Sequence, residues 1–259
     1  MIIDKIYVIN LKKNIEKKNN ILIEFDKLGG IFKDAYFFEA IVGKDLEERE
    51  INNLLTTKAQ YTLNYGRREH SEVNTKGAIG CYMSHYYIWK DIIKNNYKNV
   101  LICEDDIYTD SGYEKIVECI DNIPEDYDIA YLGYFMHNLN PKYKKVNNYW
   151  NIIDEKIFGT YSYVLSNSGA KKLLSKSLPI EMQVDSYMSY FYFTNPDFKR
   201  YLSNDIFFYQ TWWITDIQND KCIICWYTDL SYFFYNNISL FSTILILIII
   251  LLTNKNRNF

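Results

Sequence analysis

The chain has 259 residues, 48% of them hydrophobic and 24% charged, with a formal net charge of -3. That length suits one α/β domain or two small ones with enough apolar material for a real core. With no basic excess the composition disfavours a nucleic-acid partner, and five scattered cysteines do not make a disulfide framework.

Residues 4–11 read as a β-branched and aromatic strand. Residues 14–28 form a charged amphipathic helix that Gly29 and Gly30 terminate. A second strand lies within 31–42, and 45–72 is polar helix and loop. Residues 77–95 read as a helix with an apolar face at Ile79, Met83, Tyr86, Tyr87 and Trp89. A buried strand at 99–103 leads into three adjacent carboxylates. A helix over 112–122 follows, then a strand over 128–132 that ends at Gly133, and a polar loop or hairpin over 137–156. A strand at 160–165, a helix at 168–176 capped near Ser166 or Asn167, a break at Pro179, a helix at 184–193 and a last strand at 205–210 complete the series. This alternation predicts an α/β fold with a mostly parallel sheet, whose ligand crevice opens at the carboxyl ends of the strands.

The two ends differ. The N-terminus carries charges too early for a signal peptide. Residues 238–252 are almost wholly apolar, and Tyr232–Tyr235 precedes them like an interfacial aromatic belt. As a helix, 232–253 rises roughly 33 Å, about one hydrocarbon thickness. The expectation is a catalytic domain over 1–231 and a single-pass C-terminal membrane anchor over 232–259, with the domain on the cytosolic side. The alternative is a buried helix or an oligomer contact. Cys222 and Cys225 lack the second ligand pair of a zinc site and read as packed thiols. The 25 tyrosines and 15 phenylalanines are read as coding bias and not as a binding surface.

Glu104, Asp105 and Asp106 end the buried strand. Three like charges there need a positive partner, and a hard divalent cation is the common one; the alternative is a solvated turn. Asn10, Leu11, Lys12 and Lys13 end the first strand, where amides and lysines can meet a diphosphate, although Lys12, Lys13, Lys17 and Lys18 also suit a solvated helix face.

Several segments together resemble glycosyltransferase family 25, which includes lipopolysaccharide-type sugar transferases and collagen galactosyltransferases. They are Ile6-Tyr7-Val8-Ile9-Asn10-Leu11, Ala40 to Leu46 with Gly43, the block Gly77-x-x-Gly80-Cys81-x-x-Ser84-His85, and Glu104-Asp105-Asp106. Asp128 to Gly133, Gly159 to Tyr163 with Gly169, Val184-Asp185-Ser186-Tyr187-Met188, Gln210 and Asp216-Ile217-Gln218 follow in order, so the likeness runs from about residue 3 to 218. Lys13 and Lys17 stand where the family carries arginines, and no late histidine is present for a metal role.

The resemblance implies a GT-A-type fold and transfer of a hexose, galactose or glucose favoured, from a UDP-sugar to a glycan or hydroxylated protein acceptor, with inversion and Mn²⁺ or Mg²⁺. It implies Asp106 and Glu104 as metal ligands, Asp105 at the ribose or sugar, and Asn10, Lys13, Gly77, Gly80, Ser84 and His85 around the nucleotide. Asp185 is the candidate general base and Glu181 the runner-up. Trp212 and Trp213 fit an acceptor platform or membrane-proximal packing. The competing readings are a metal-dependent phosphoesterase and an inactive membrane-anchored sugar-binding or scaffold protein.

Overall fold

The computed structural model describes residues 1–138 and 140–211. The proposed anchor, the Cys222/Cys225 pair, Trp212, Trp213 and the segment 216–218 lie outside the described residues.

Strand β1 (Lys5–Asn10) alternates its side chains between two cores: Ile6 and Val8 point into one, Tyr7 and Ile9 into the other. Helix α1 (Ile15–Leu28) buries Ile21 and Phe25 on the first side and stops at Gly29, whose φ of 72° few other residues tolerate. Strand β2 (Tyr36–Glu39) then forms the sheet edge. Helices α2 (Glu48–Leu54) and α3 (Thr57–Tyr65) occupy the polar stretch, begun by a Glu47/Glu50 capping box and by the Thr56 hydroxyl. Helix α4 (Lys76–Lys94), capped by Thr75, buries Ile79, Tyr82, Met83, Ile88, Trp89 and Ile92. Tyr87, expected on that apolar face, is exposed.

Strand β3 (Asn99–Glu104), the short β4 (Ile107–Tyr108) and helix α5 (Tyr113–Asp121) follow. Strand β5 (Ile129–Phe135) continues past Gly133, where a stop was expected. The glycine instead admits the Phe208 backbone: a Cβ there would lie 2.5 Å from the Phe208 carbonyl oxygen. The polar segment contains a hairpin of β6 (Tyr143–Lys145) and β7 (Trp150–Ile153). Strand β8 (Phe158–Ser166) leads directly into α6 (Asn167–Leu174), capped by the Ser166 hydroxyl. Helix α7 (Val184–Thr194) is followed by β9 (Arg200–Ser203), which sequence patterning did not reveal, and by β10 (Tyr209–Gln210). The strand expected over 205–210 is reduced to those last two residues, which pair with β4.

The eight-stranded sheet has the order β2-β1-β3-β8-β5-β9-β7-β6. β2, β1 and β3 are mutually parallel, and β5 is parallel to β9. β8 lies antiparallel between β3 and β5, and β7 is antiparallel to β9 and β6. Only β8 and β7 are therefore reversed, so the sheet is mixed with one prevailing direction. One core lies between the sheet and α4, α6 and α7; the other lies between the sheet and α1 and α5. Among the described residues no helix is long and apolar enough to cross a membrane.

Candidate active site

Register fixes the centre of the site. Ile9 on β1 stands beside Glu104 on β3, so the next residues, Asn10 at the end of β1 and Asp105 just past the end of β3, meet. The Asn10 Nδ2 donates to Asp105 Oδ2 at 2.6 Å and to the Asn14 carbonyl at 3.2 Å, tying the carboxylates to the start of α1. Lys17 on the first turn of α1 brings its Nζ to 3.5 Å from Asp106 Oδ2 and 3.8 Å from Asp105 Oδ1. On the other side Thr211 donates to the Asp106 carbonyl from its N–H (2.7 Å) and its hydroxyl (2.9 Å), and Gln210 Nε2 lies 3.4 Å from Asp106 Oδ2. Asp106 Oδ1 is buried with no hydrogen-bond partner.

Glu104 accepts a hydrogen bond from the Thr160 hydroxyl on β8. Burial pushes its carboxyl up to about 8, the neighbouring Asp106 adds to the rise, and the Thr160 bond opposes it. The Glu104 carboxyl therefore keeps its proton to a higher pH than a free glutamate does. Among the described residues no three His, Cys, Asp or Glu side chains converge closely enough to enclose an ion. The set fits an open site instead: one or two carboxylates, with the remaining positions left to water and phosphate oxygens, as Mg²⁺ and Mn²⁺ commonly accept.

Two cavities meet at Glu104, Asp106, Cys81 and Gln210. The first, about 250 Å³, runs between the ends of β1 and β3, the segment 40–44 and the start of α4; Lys13, Lys17, Gly77, Ser84 and Asp105 also line it. Its wall depends on close backbone contact. A Cβ on Gly43 would fall 1.6 Å from the Lys76 carbonyl oxygen, and one on Gly80 would fall 2.4 Å from the Ile41 carbonyl oxygen. Ser84 pins the same segment, its Oγ accepting from the Ile41 N–H at 2.9 Å and donating to the Gly80 carbonyl at 2.8 Å.

The second cavity, about 390 Å³, is walled by Phe135, His137, Phe158, Tyr161, His70, Gln183 and Asp185, and among the described residues no lysine or arginine lines it. The His137 ring lies 5.0 Å from those of both Phe135 and Phe158. Asp185, on the first turn of α7, is held by three donors: Ser186 N–H at 2.6 Å and Ser186 Oγ at 3.2 Å on Oδ1, and Gly159 N–H at 3.1 Å on Oδ2. Gly159 reaches it with φ 76°.

The sequence-predicted residues therefore divide. Lys13, Gly77, Ser84, Glu104, Asp105 and Asp106 face the first cavity, Asn10 orients Asp105, and Asp185 faces the second cavity together with Glu104 and Asp106. Gly80 and His85 face neither. Gly80 makes its close approach to the chain's own 41–43 segment. His85 is fully buried; its Nδ1 lies 2.7 Å from the Tyr163 hydroxyl, and burial pulls its pKa down to about 3, so it stays neutral. Glu181 pairs with Lys58 at the surface and lines neither cavity. Sequence reasoning did not assign Thr160, Lys17 or His137 to the site. Thr160 and Lys17 were within reach, because Thr160 lies in a segment that carries the resemblance and Lys17 stands where the family carries an arginine; His137 had no local signal.

A family model described as glycosyltransferase family 25 (LPS biosynthesis protein) matches residues 3–188. A protein of Aedes aegypti named glycosyltransferase 25 family member is 29% identical over 206 residues, 75% of this chain and 32% of its own. Human procollagen galactosyltransferase 2 is 28% identical over 210 residues, 76% of this chain and 32% of its own. The chain thus spans about a third of the length of these curated relatives. A solved glycosyltransferase involved in glycosylation of the major capsid of PBCV-1 aligns over 82% of this chain and 93% of its own, at 10% identity and a TM-score of 0.46.

Proposed function

This chain belongs to glycosyltransferase family 25, and on that premise we propose that it transfers a hexose, galactose or glucose, from a UDP-sugar to a hydroxyl acceptor with inversion at the anomeric carbon. The observation that carries the reading is the junction of the two cavities. Glu104 and Asp106 line both, one cavity carries lysines and the other carries Asp185.

In this reading the first cavity takes the nucleotide. Asn10 holds Asp105 toward the ribose or sugar, and Lys13 and the first turn of α4 at Gly77 face the diphosphate. Asp106 and Glu104 would hold Mn²⁺ or Mg²⁺, which when bound neutralises charge on the departing diphosphate. The second cavity takes the acceptor. Its aromatic wall suits the apolar face of a sugar ring or side chain, and the carboxylates of Glu104, Asp106 and Asp185 in its lining disfavour an anionic acceptor. The acceptor oxygen attacks the anomeric carbon opposite the leaving group. Its proton passes to an Asp185 carboxylate oxygen, and UDP leaves with the bonding electron pair. The relatives' names favour a hydroxylated protein or a surface glycan as acceptor. The apolar run at 238–252 supports a membrane anchor.

The test is a UDP-sugar panel on the full chain in detergent with Mn²⁺, offering a neutral disaccharide and a hydroxylysine peptide, with the product anomer read by NMR. Loss of transfer in Asp106→Ala and Asp185→Asn supports the assignment. An Asp106→Ala variant as active as its parent overturns the metal site. Cleavage of simple phosphate esters points to the phosphoesterase, and UDP binding without turnover points to the scaffold.

A further inference from the structure

Lys17 occupies an unusual setting for a cation. It sits on the first turn of α1, where the helix dipole disfavours a cation. Its side chain is only 11% exposed, which an ammonium accepts only against charge compensation. The compensation is the pair Asp105 and Asp106, at 3.8 and 3.5 Å, and the same lysine lines the nucleotide cavity. A lysine ammonium is a compact charge on a flexible four-carbon stem, able to change partners at small cost.

We propose that Lys17 is an exchangeable counter-ion: it neutralises Asp105 and Asp106 in the ion-free protein and passes its ammonium to the diphosphate when the nucleotide binds. This rests on the reading of the first cavity as a nucleoside-diphosphate site. Two consequences have opposite signs. Without nucleotide, Lys17 repels a divalent cation from the carboxylates. With nucleotide, it leaves the carboxylates to the cation and adds its own charge to the diphosphate. Lys17 therefore makes ion and nucleotide binding mutually reinforcing, and the coupling is reciprocal. A merely structural lysine predicts no such reversal.

The experiment is calorimetry on the full chain, wild type against Lys17→Met, titrating Mn²⁺ alone, UDP in EDTA, and UDP at saturating Mn²⁺. At the effective dielectric of a protein surface a charge contact of this length supports changes of about tenfold or more. Mn²⁺ alone is expected to bind about tenfold more tightly to Lys17→Met, UDP in EDTA about tenfold more weakly, and UDP at saturating Mn²⁺ about a hundredfold more weakly, so that the coupling factor between them shrinks about tenfold. Lys17→Arg should keep the wild-type signs. Should Lys17→Met not fold, the wild type supplies the readout: the Lys17 ε-methylene resonance should shift on adding UDP in EDTA. UDP binding by the wild type with Mn²⁺ affinity unchanged or reduced in Lys17→Met overturns the counter-ion role alone, as does a motionless Lys17 resonance. Absence of UDP uptake by the wild type under every condition overturns the nucleotide-site reading and the counter-ion role with it.

Discussion

Replacing Thr160 by valine isolates one hydrogen bond at the centre of the site. The side chain is 3% exposed and its hydroxyl donates to Glu104. Valine keeps the shape and removes the donor. A hydrogen bond to a charged group contributes about 1.5–3 kcal/mol and one to a neutral group about 0.5–1.5, so its loss penalises the ionised Glu104 by about 1–1.5 kcal/mol more than the neutral form. That difference is about one pKa unit, lifting the carboxyl from about 8 to about 9. The ionised fraction at pH 7.5 then falls from about a quarter to about one thirtieth, an eightfold loss, whereas at pH 9 the loss is only about twofold. Because a cation binds the deprotonated carboxylate, apparent Mn²⁺ affinity in the presence of UDP should fall by those two factors, measured by calorimetry at the two pH values. An equal loss at both pH values means that valine acts through shape, and the electrostatic account of Glu104 fails. The sign for stability runs the other way. A carboxyl raised above its unfolded value keeps its proton in the fold, so the ion-free protein should lose stability as pH rises from about 4.5 to about 8, and Mn²⁺ with UDP should restore it.

Asp185→Asn keeps the size and one acceptor oxygen but removes the base; transfer should fall about 10²–10⁴-fold with UDP affinity unchanged, and near-normal turnover removes Asp185 from the chemistry. Gly80→Ala forces a Cβ toward the Ile41 carbonyl at 2.4 Å, so a loss of about 1–3 kcal/mol in urea unfolding is expected together with weakened UDP binding; a wild-type midpoint means that the 41–43 segment shifts freely. His85→Phe should cost about 1–2 kcal/mol through the lost Tyr163 partner and leave UDP affinity intact. In the parent the His85 ring should show no titration by NMR between about pH 5 and 8, since burial holds its pKa near 3.

What the sequence disclosed follows from where the information is local. β1 and β3 are continuous apolar runs, β8 carries one at residues 163–165, and α1 and α4 carry their own stop and start residues, Gly29 and Thr75. β9 stayed hidden because it opens on Arg200, a residue type that patterning assigns to the surface. The fold buries it instead, its guanidinium 3.7 Å above the Tyr192 ring and its Nη2 on the carbonyls of Ile153 (2.7 Å) and Glu155 (2.9 Å). The resemblance marked Lys17 as a charged position, but not its partners: burial of one cation against a distant pair of carboxylates is a tertiary fact. Gly80 and His85 were attributed to the nucleotide because a motif states that a residue matters and not which side of its helix faces the ligand. On α4, Gly77 and Ser84 face the cavity segment, while His85 turns to Tyr163.

The reversed strand β8 explains how one site serves two substrates. In a purely parallel sheet only strand ends converge at the crevice, so each strand offers the loop that follows it. β8 enters the sheet from that edge. Its pairing sets Ser162 opposite Cys103, which places Gly159 and Thr160, near its start, beside the last residue of β3, Glu104. Those two adjacent residues then face different partners. Thr160 donates its hydroxyl to Glu104, the junction of both cavities, and Gly159 donates its N–H to Asp185 on α7. A single dipeptide thus sets the spacing between the proposed cation carboxylates and the proposed base. Lengthening the strand just after it by one residue should leave the core pairing of β8 with β3 intact, because strand register is held by the apolar residues 163–165. An alanine inserted between Thr160 and Tyr161 is therefore expected to fold but to move Gly159 and Thr160 off Asp185 and Glu104 and to lose transfer; transfer unchanged by it would show that Gly159 and Asp185 need no fixed relation to the carboxylates.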